Sequence, residues 1–118
     1  MISVAMIVKN EESCLATCLE SIKGVDEIII CDTGSEDSTI EIAKQYTDKV
    51  FTDYKWNDDF AEARNYAKSK CTGDWCLTID ADECLISPVA KLYEVTTTNF
   101  KTVNCNLVSG SDLHKQPR

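Results

Sequence analysis

The run Trp75-Cys76-Leu77-Thr78-Ile79-Asp80-Ala81-Asp82-Glu83 sets the terms for everything around it. A largely apolar segment delivers three acids within four positions. A strand needs no carboxylate at its tip, and neighbouring carboxylates repel. Each ionised one raises the cost of ionising the next unless a cation or hydrogen-bond donors compensate. In open parallel α/β sheets, ligands sit outside the carboxyl ends of the strands. An Asp-x-Asp there points to a divalent metal holding a phosphorylated ligand, because hard oxygen donors suit Mg2+ or Mn2+. The alternative is a solvated turn in which Asp82 or Glu83 caps the next segment.

Upstream, the pattern alternates between strands and helices. Ser3 to Val8 is a continuous apolar run, as expected of a strand buried on both faces. Asn10 is a suitable N-cap, and Cys14, Leu15, Cys18, Leu19 and Ile22 form one helical stripe that Gly24 stops. Asp26 to Cys31 reads as the second strand, ending at Asp32. Ser35-Glu36-Asp37-Ser38 begins a helix with Ile40, Ala43 and Tyr46 inward. Lys49 to Thr52 is a short third strand leading to Asp53. Tyr54 to Asn57 is a loop with aromatics, for which ordinary loop packing is expected over a binding role. Asp58 caps a third helix whose stripe is Phe60, Ala63, Ala67 and Cys71. The order β-α-β-α-β-α-β with short connections predicts right-handed crossovers and a parallel sheet.

Beyond Glu83 the pattern weakens. Pro88 to Val95 allows one or two helical turns, and Thr102 to Val108 alternates like an edge strand. Ser111 to Arg118 is polar and reads as a frayed tail, with His114, the one histidine, exposed in it.

Composition bounds the function. The 118 residues make one domain or part of one, large enough for a real core. A formal charge of −8 argues against a nucleic-acid groove, which needs a basic face. It leaves nucleotides open, since a divalent cation can bridge acids to a diphosphate. The seven cysteines include no Cys-x-x-Cys, and their number is odd. Cys14, Cys18, Cys31 and Cys76 fall on apolar faces, where free cysteine acts as a small hydrophobe. That usage fits a reducing cytoplasm, the expected location. Zinc on some of Cys71, Cys76, Cys84, Cys105 and His114 is the minor alternative. No stretch is long and apolar enough to span a membrane.

Val4-Ala5-Met6-Ile7-Val8-Lys9-Asn10-Glu11-Glu12, Cys31-Asp32-Thr33-Gly34-Ser35-Glu36-Asp37-Ser38-Thr39 and Thr78-Ile79-Asp80-Ala81-Asp82-Glu83 occur in that order. With them, the chain resembles the N-terminal half of family 2 glycosyltransferases. A fourth block, Asp59-Phe60-Ala61-Glu62-Ala63-Arg64-Asn65, resembles the subset with lipopolysaccharide-core glucosyltransferases and tetratricopeptide-associated members. The match covers about residues 2–85. The fold it implies is α/β: a GT-A, Rossmann-like, mostly parallel sheet flanked by helices and truncated, in a single half-domain over 1–118.

The resemblance also implies roles. Val8 and Lys9 would line the nucleobase, Asp32 would accept from a base N–H, and Asp80 would take the ribose hydroxyls or a metal-bound water. Asp82, with Asp80, would hold Mn2+ or Mg2+ on the diphosphate of a nucleotide sugar, most readily a UDP-sugar. Arg64 stands between a surface ion pair and a contact near the nucleotide. The family's general base comes from further along than this chain reaches, so no catalytic residue is assigned and the acceptor is unknown. Exposed apolar edge after Glu83 would favour a homo-oligomer. The competing readings are a non-catalytic interaction module of the same fold and a phosphohydrolase. The second fits poorly, because Val8-Lys9-Asn10 offers no nucleophilic aspartate.

Overall fold

The computed structural model describes residues 1–85, 89–90, 102–104 and 112–115. Its strands are β1 (Ile2–Val8), β2 (Glu27–Asp32), β3 (Val50–Phe51), β4 (Trp75–Thr78), β5 (Thr102–Asn104) and β6 (Asp112–Lys115). The helices are α1 (Leu15–Ser21), α2 (Thr39–Lys44) and α3 (Phe60–Ser69). They build one sheet in the order β3-β2-β1-β4-β6-β5. The first four strands are mutually parallel, as the βα alternation predicts, and β6 and β5 continue the sheet antiparallel.

The core follows from strands buried on both faces. Ile2, Val4, Met6 and Val8 point one way from β1 and pack with Leu15, Cys18, Leu19 and Ile22 of the α1 region and Leu77 of β4. Ala5 points the other way, into a smaller cluster with Cys31, Cys76 and Ala67 of α3. The small residues there let α3 approach the sheet closely. Each fully buried Ile or Leu contributes roughly 1.5–3 kcal/mol relative to exposure, so the larger layer carries most of the stability. Cys18, Cys31 and Cys76 are buried, as their positions on apolar faces predict.

Several expectations need correction. Asn10 does not cap α1: its φ is +53° and the helix starts at Leu15, after Cys14. Its side chain instead faces the next loop, where it accepts from the Glu36 amide. Ser35–Ser38 precede α2 rather than forming its first turn, and Ile42 with Tyr46, not Ile40, packs on the core. Asp59 rather than Asp58 caps α3, accepting from the Glu62 amide at 3.1 Å. Phe60 is 62 % exposed and does not join the Ala63–Ala67 stripe. The tail expected to fray supplies β6, which sits inside the sheet between β4 and β5. The expected edge strand is realised over Thr102–Asn104; its continuation to Val108 lies outside the described residues. Val89 and Ala90 are helical, and the rest of the proposed 88–95 turns lies outside them too.

A polar network fastens the amino ends of the central strands. Glu27, opposite Ser3 in the β1–β2 register, accepts from Ser3 Oγ at 2.7 Å, from the Thr72 amide at 2.8 Å and from Thr72 Oγ1 at 2.9 Å. It also pairs with the Lys49 ammonium. Gly73 closes the arrangement by donating to Ser3 Oγ. A Cβ on Gly73 would lie 2.6 Å from that oxygen and 2.8 Å from the Met1 carbonyl, so only glycine fits. Burial alone would raise the Glu27 carboxyl, but the donors from Lys49, Thr72 and Ser3 outweigh it and hold the pKa at about 2 against an ordinary 4.5.

A depressed carboxylate stabilises the fold above its unfolded pKa and loses that contribution as pH falls toward the folded one. Glu27 is therefore worth on the order of 3 kcal/mol at neutral pH, fading between about pH 4.5 and pH 2. Glu27→Gln should lower the urea midpoint at pH 7 and flatten stability across that window. An unchanged acid limb would refute the assignment.

Candidate functional site

The carboxyl ends of β1, β2 and β4 meet at one cleft. Val8 stands opposite Asp32 in the register, and the Ile79 amide reaches the Ala5 carbonyl at 3.4 Å, which carries the chain to Asp80. A cavity of about 450 Å3 opens there. Ile7, Val8, Lys9 and Glu11 line it from the first turn, Thr33 from the second, and Asp80, Ala81 and Asp82 from the end of β4. Trp56, Phe60 and Arg64 form a further wall.

Asp32 is 3 % exposed. Its Oδ1 accepts from the Gly34 and Ser35 amides, both at 2.8 Å. The left-handed φ of Gly34, +129°, turns the chain so that both amides can do so. Oδ2 is buried with no hydrogen-bond partner among the described residues. A buried carboxylate oxygen costs free energy while unpaired. Thr33 ties the same turn to β1, its amide and Oγ1 both donating to the Val8 carbonyl.

The two loops bordering the cleft are laced together. The Asn10 amide donates to Ser35 Oγ, the Glu36 amide to Asn10 Oδ1, the Glu11 amide to Thr39 Oγ1 and the Ser38 amide to Glu12 Oε2, at 2.7–3.0 Å. Each loop thus satisfies the other's orphan backbone groups, which a short loop cannot do alone. The left-handed Asn10 is part of this lacing.

After β4 the acids divide their work. Glu83 is buried; its amide donates to the Asp80 carbonyl at 2.9 Å and its Oε1 accepts from the Asp80 amide at 2.7 Å. Glu83 turns back and closes the turn that carries the aspartates; the segment that the alternative had Asp82 or Glu83 cap lies mostly outside the described residues. Asp82 and the Asp80 side chain remain toward solvent. Arg64 approaches Asp80 at 3.6 Å, each side chain about half exposed, so the pair itself adds at most about 1 kcal/mol. Its guanidinium also lies 5.8 Å from the Phe60 ring, which meets Trp56 edge-on at 5.0 Å.

Val8, Lys9, Arg64, Asp80 and Asp82 therefore share the cleft, and Asp32 adjoins it through Thr33. Asp53 does not take part; it is exposed and accepts from Tyr66 Oη at 3.2 Å. Trp56, expected to serve loop packing, is a cleft residue. Phe60 was hidden by its helical spacing to Ala63 and Ala67. Its other spacing, four residues before Arg64, is the signal that puts it on the cleft face.

Among the described residues no group of three or more His, Cys, Asp and Glu could hold a metal ion, so the zinc reading gains no support. The half-buried Cys14 thiol, near the cleft, is pushed up to about 11 by burial, by the Glu11 carboxylate it donates to and by Asp82. It stays protonated at neutral pH and is a poor nucleophile or ligand. Asp80 and Asp82 offer two carboxylates with room in front of them. That set suits Mg2+ or Mn2+, which usually take one or two protein carboxylates and complete their shell with phosphate and water.

A mostly parallel sheet flanked by helices, with acids grouped at the carboxyl ends of its parallel strands, is a Rossmann-like α/β architecture. The model of glycosyl transferase family 2 matches residues 3–109, and the chain belongs to that family. It is 51 % identical over 87 residues to a TPR repeat-containing protein of Synechococcus elongatus, a match spanning 72 % of this chain and 21 % of that protein. Its fold superposes on the Staphylococcus aureus TarS structure in complex with UDP-GlcNAc, with TM-score 0.69 and 23 % identity, over 81 % of this chain and 30 % of that one. It also superposes on Mycobacterium tuberculosis glucosyl-3-phosphoglycerate synthase in complex with Mn2+, UDP and glucosyl-3-phosphoglycerate. There the TM-score is 0.58 and the identity 29 %, over 70 % of this chain and 34 % of that one. The fold is accordingly GT-A, and the chain spans about a fifth of the curated relative's length.

Removing the Glu83 acceptor frees the turn that presents both aspartates. Glu83→Ala should cost about 1 kcal/mol more in urea unfolding than Glu83→Gln, which keeps an oxygen for the Asp80 amide. Equal losses would assign the stabilisation to charge rather than to that hydrogen bond.

Proposed function

We propose that the cleft binds the nucleoside diphosphate of a nucleotide sugar, most readily a UDP-sugar, as the donor half of an inverting glycosyl transfer to an acceptor hydroxyl. The observation that carries this reading is the meeting of Asp80 and Asp82 with Val8, Lys9 and Thr33 in one cavity, beside the unpaired Oδ2 of Asp32. UDP in the related synthase structure, at 29 % identity, supports the nucleotide, and Mn2+ there supports the metal.

In this reading Asp32 Oδ2 accepts from a nucleobase ring N–H, and the Gly34 and Ser35 amides keep its partner oxygen fixed. Val8 and Lys9 border the base, partly through backbone atoms. Asp80 takes a ribose hydroxyl or a metal-bound water. Asp82, with Asp80, holds Mn2+ or Mg2+ on the diphosphate. When bound, that cation stabilises the charge that develops on the departing nucleoside diphosphate. Arg64 adds a guanidinium, whose planar donors suit phosphate oxygens. The general base that deprotonates the acceptor is assigned to no residue here, and donor binding is the step the proposal addresses.

Calorimetry with UDP-, GDP- and TDP-sugars, in Mn2+ and then with chelator, tests the proposal. UDP-sugar binding should weaken in chelator, and Asp82→Ala should weaken the Mn2+-supported binding tenfold or more, ~1.4 kcal/mol. Asp32→Ala should weaken binding with or without metal. Metal-dependent affinity that survives Asp82→Ala would overturn the site, and no affinity for any nucleotide sugar would favour a non-catalytic module.

A further inference from the structure

On the face of the sheet covered by α3, away from the cleft's acids, the Sγ atoms of Cys71 and Cys76 lie 3.7 Å apart. Both are free thiols. Cys71 follows the Lys70 C-cap of α3 and is half-buried, while Cys76, on β4, is 1 % exposed. The chain between them is clamped. The Thr72 amide and hydroxyl are held by Glu27, the Gly73 amide by Ser3 Oγ, and the Asp74 and Trp75 amides by the Met1 carbonyl. Gly73 packs directly against Ser3 and the Met1 carbonyl, with no room for a side chain. The thiols are therefore presented to each other by a rigid loop rather than meeting by chance, and their effective concentration is correspondingly high.

We propose that Cys71 and Cys76 are a redox modification site, a dithiol that closes reversibly to an intrachain disulfide on meeting a low-molecular-weight disulfide such as oxidised glutathione. The hydrogen bond with Cys76, burial and the Glu27 carboxylate push the Cys71 thiol up, so the attack on one sulfur of the incoming disulfide runs through a small thiolate fraction at this half-buried residue, the more exposed of the two. A Cys71 mixed disulfide forms and one small thiolate leaves. The Cys76 thiolate then attacks Cys71 Sγ, the Cys71–Cys76 bond forms and the second small thiolate leaves. The chain loses two electrons and two protons; the small disulfide takes up both and departs as two thiols. Closure draws the sulfurs from 3.7 Å to a bond of about 2.05 Å. The bond joins the end of the helix that carries Arg64 to the strand that leads to Asp80.

The test is to titrate the purified chain with oxidised glutathione, block free thiols and map non-reduced proteolytic fragments by mass spectrometry. The expected result is a Cys71–Cys76 link lighter by two hydrogens, reversed by dithiothreitol, lost in Cys71→Ser and retained in Cys84→Ser. Oxidation that stops at a glutathione adduct on Cys71, leaves both thiols free, or links other cysteines instead would overturn the proposal. None of these outcomes depends on nucleotide binding.

Discussion

Carboxylates gathered at one end of a sheet must each be answered by a donor or a cation, here in a chain whose formal charge is already −8. The fold answers them unequally. Asp32 is half-satisfied, one oxygen held by two backbone amides and the other buried without a partner among the described residues. Glu83 is spent on structure, clasping the backbone of Asp80. The Asp80 side chain has Arg64 at a distance that leaves it mostly solvated. Asp82 lines the cleft and is exposed. Asp80 and Asp82 line the cavity incompletely answered, and the buried Asp32 Oδ2 adjoins it through Thr33.

The opposite end of the sheet works by the reverse arrangement. Glu27 is also a buried strand-end acid, yet it collects Ser3, Thr72 and Lys49 and is left with a strongly depressed pKa. Its network joins β1, β2 and the turn before β4, the three strands whose other ends form the cleft. Full satisfaction makes that end rigid. With the amino ends fastened, the carboxyl ends are held in register while their own polar groups remain available.

Much of this was legible in the sequence because both relevant signals are local. Two-faced apolar runs named β1, β2 and β4, and acids directly after them named the cleft's end of the sheet. What escaped was set by tertiary context. Asn10 has the composition of a helix cap, but its role is fixed by Ser35 and Glu36, 25 and 26 residues away. Phe60 satisfies a helical stripe by spacing, yet α3 meets the sheet through Ala67 and Tyr66, with Ala63 buried, and the Phe60 ring turns to Trp56 and Arg64. Polar 112–115 reads as tail because strand pairing through backbone atoms leaves little mark on side-chain pattern.

That last segment bears on the cleft through the backbone of β4. β4 is a central-type strand, with Trp75, Cys76 and Leu77 all buried, and such a strand needs a neighbour on each edge to pair its backbone. β1 covers one edge, from Ile2 opposite Trp75 to Ala5 opposite Thr78. β6 covers the other, with Lys115, His114 and Leu113 opposite Trp75, Cys76 and Leu77. The Asp80–Glu83 turn begins where that pairing ends, so its position depends on both flanks of β4. The residues that would meet a donor lie between Ile7 and Asp82, whereas the strand that holds the Asp-x-Asp turn in place is secured from beyond residue 110. Among the described residues the cleft is lined from the first 85, and β6 supports the strand behind it from the far end of the chain.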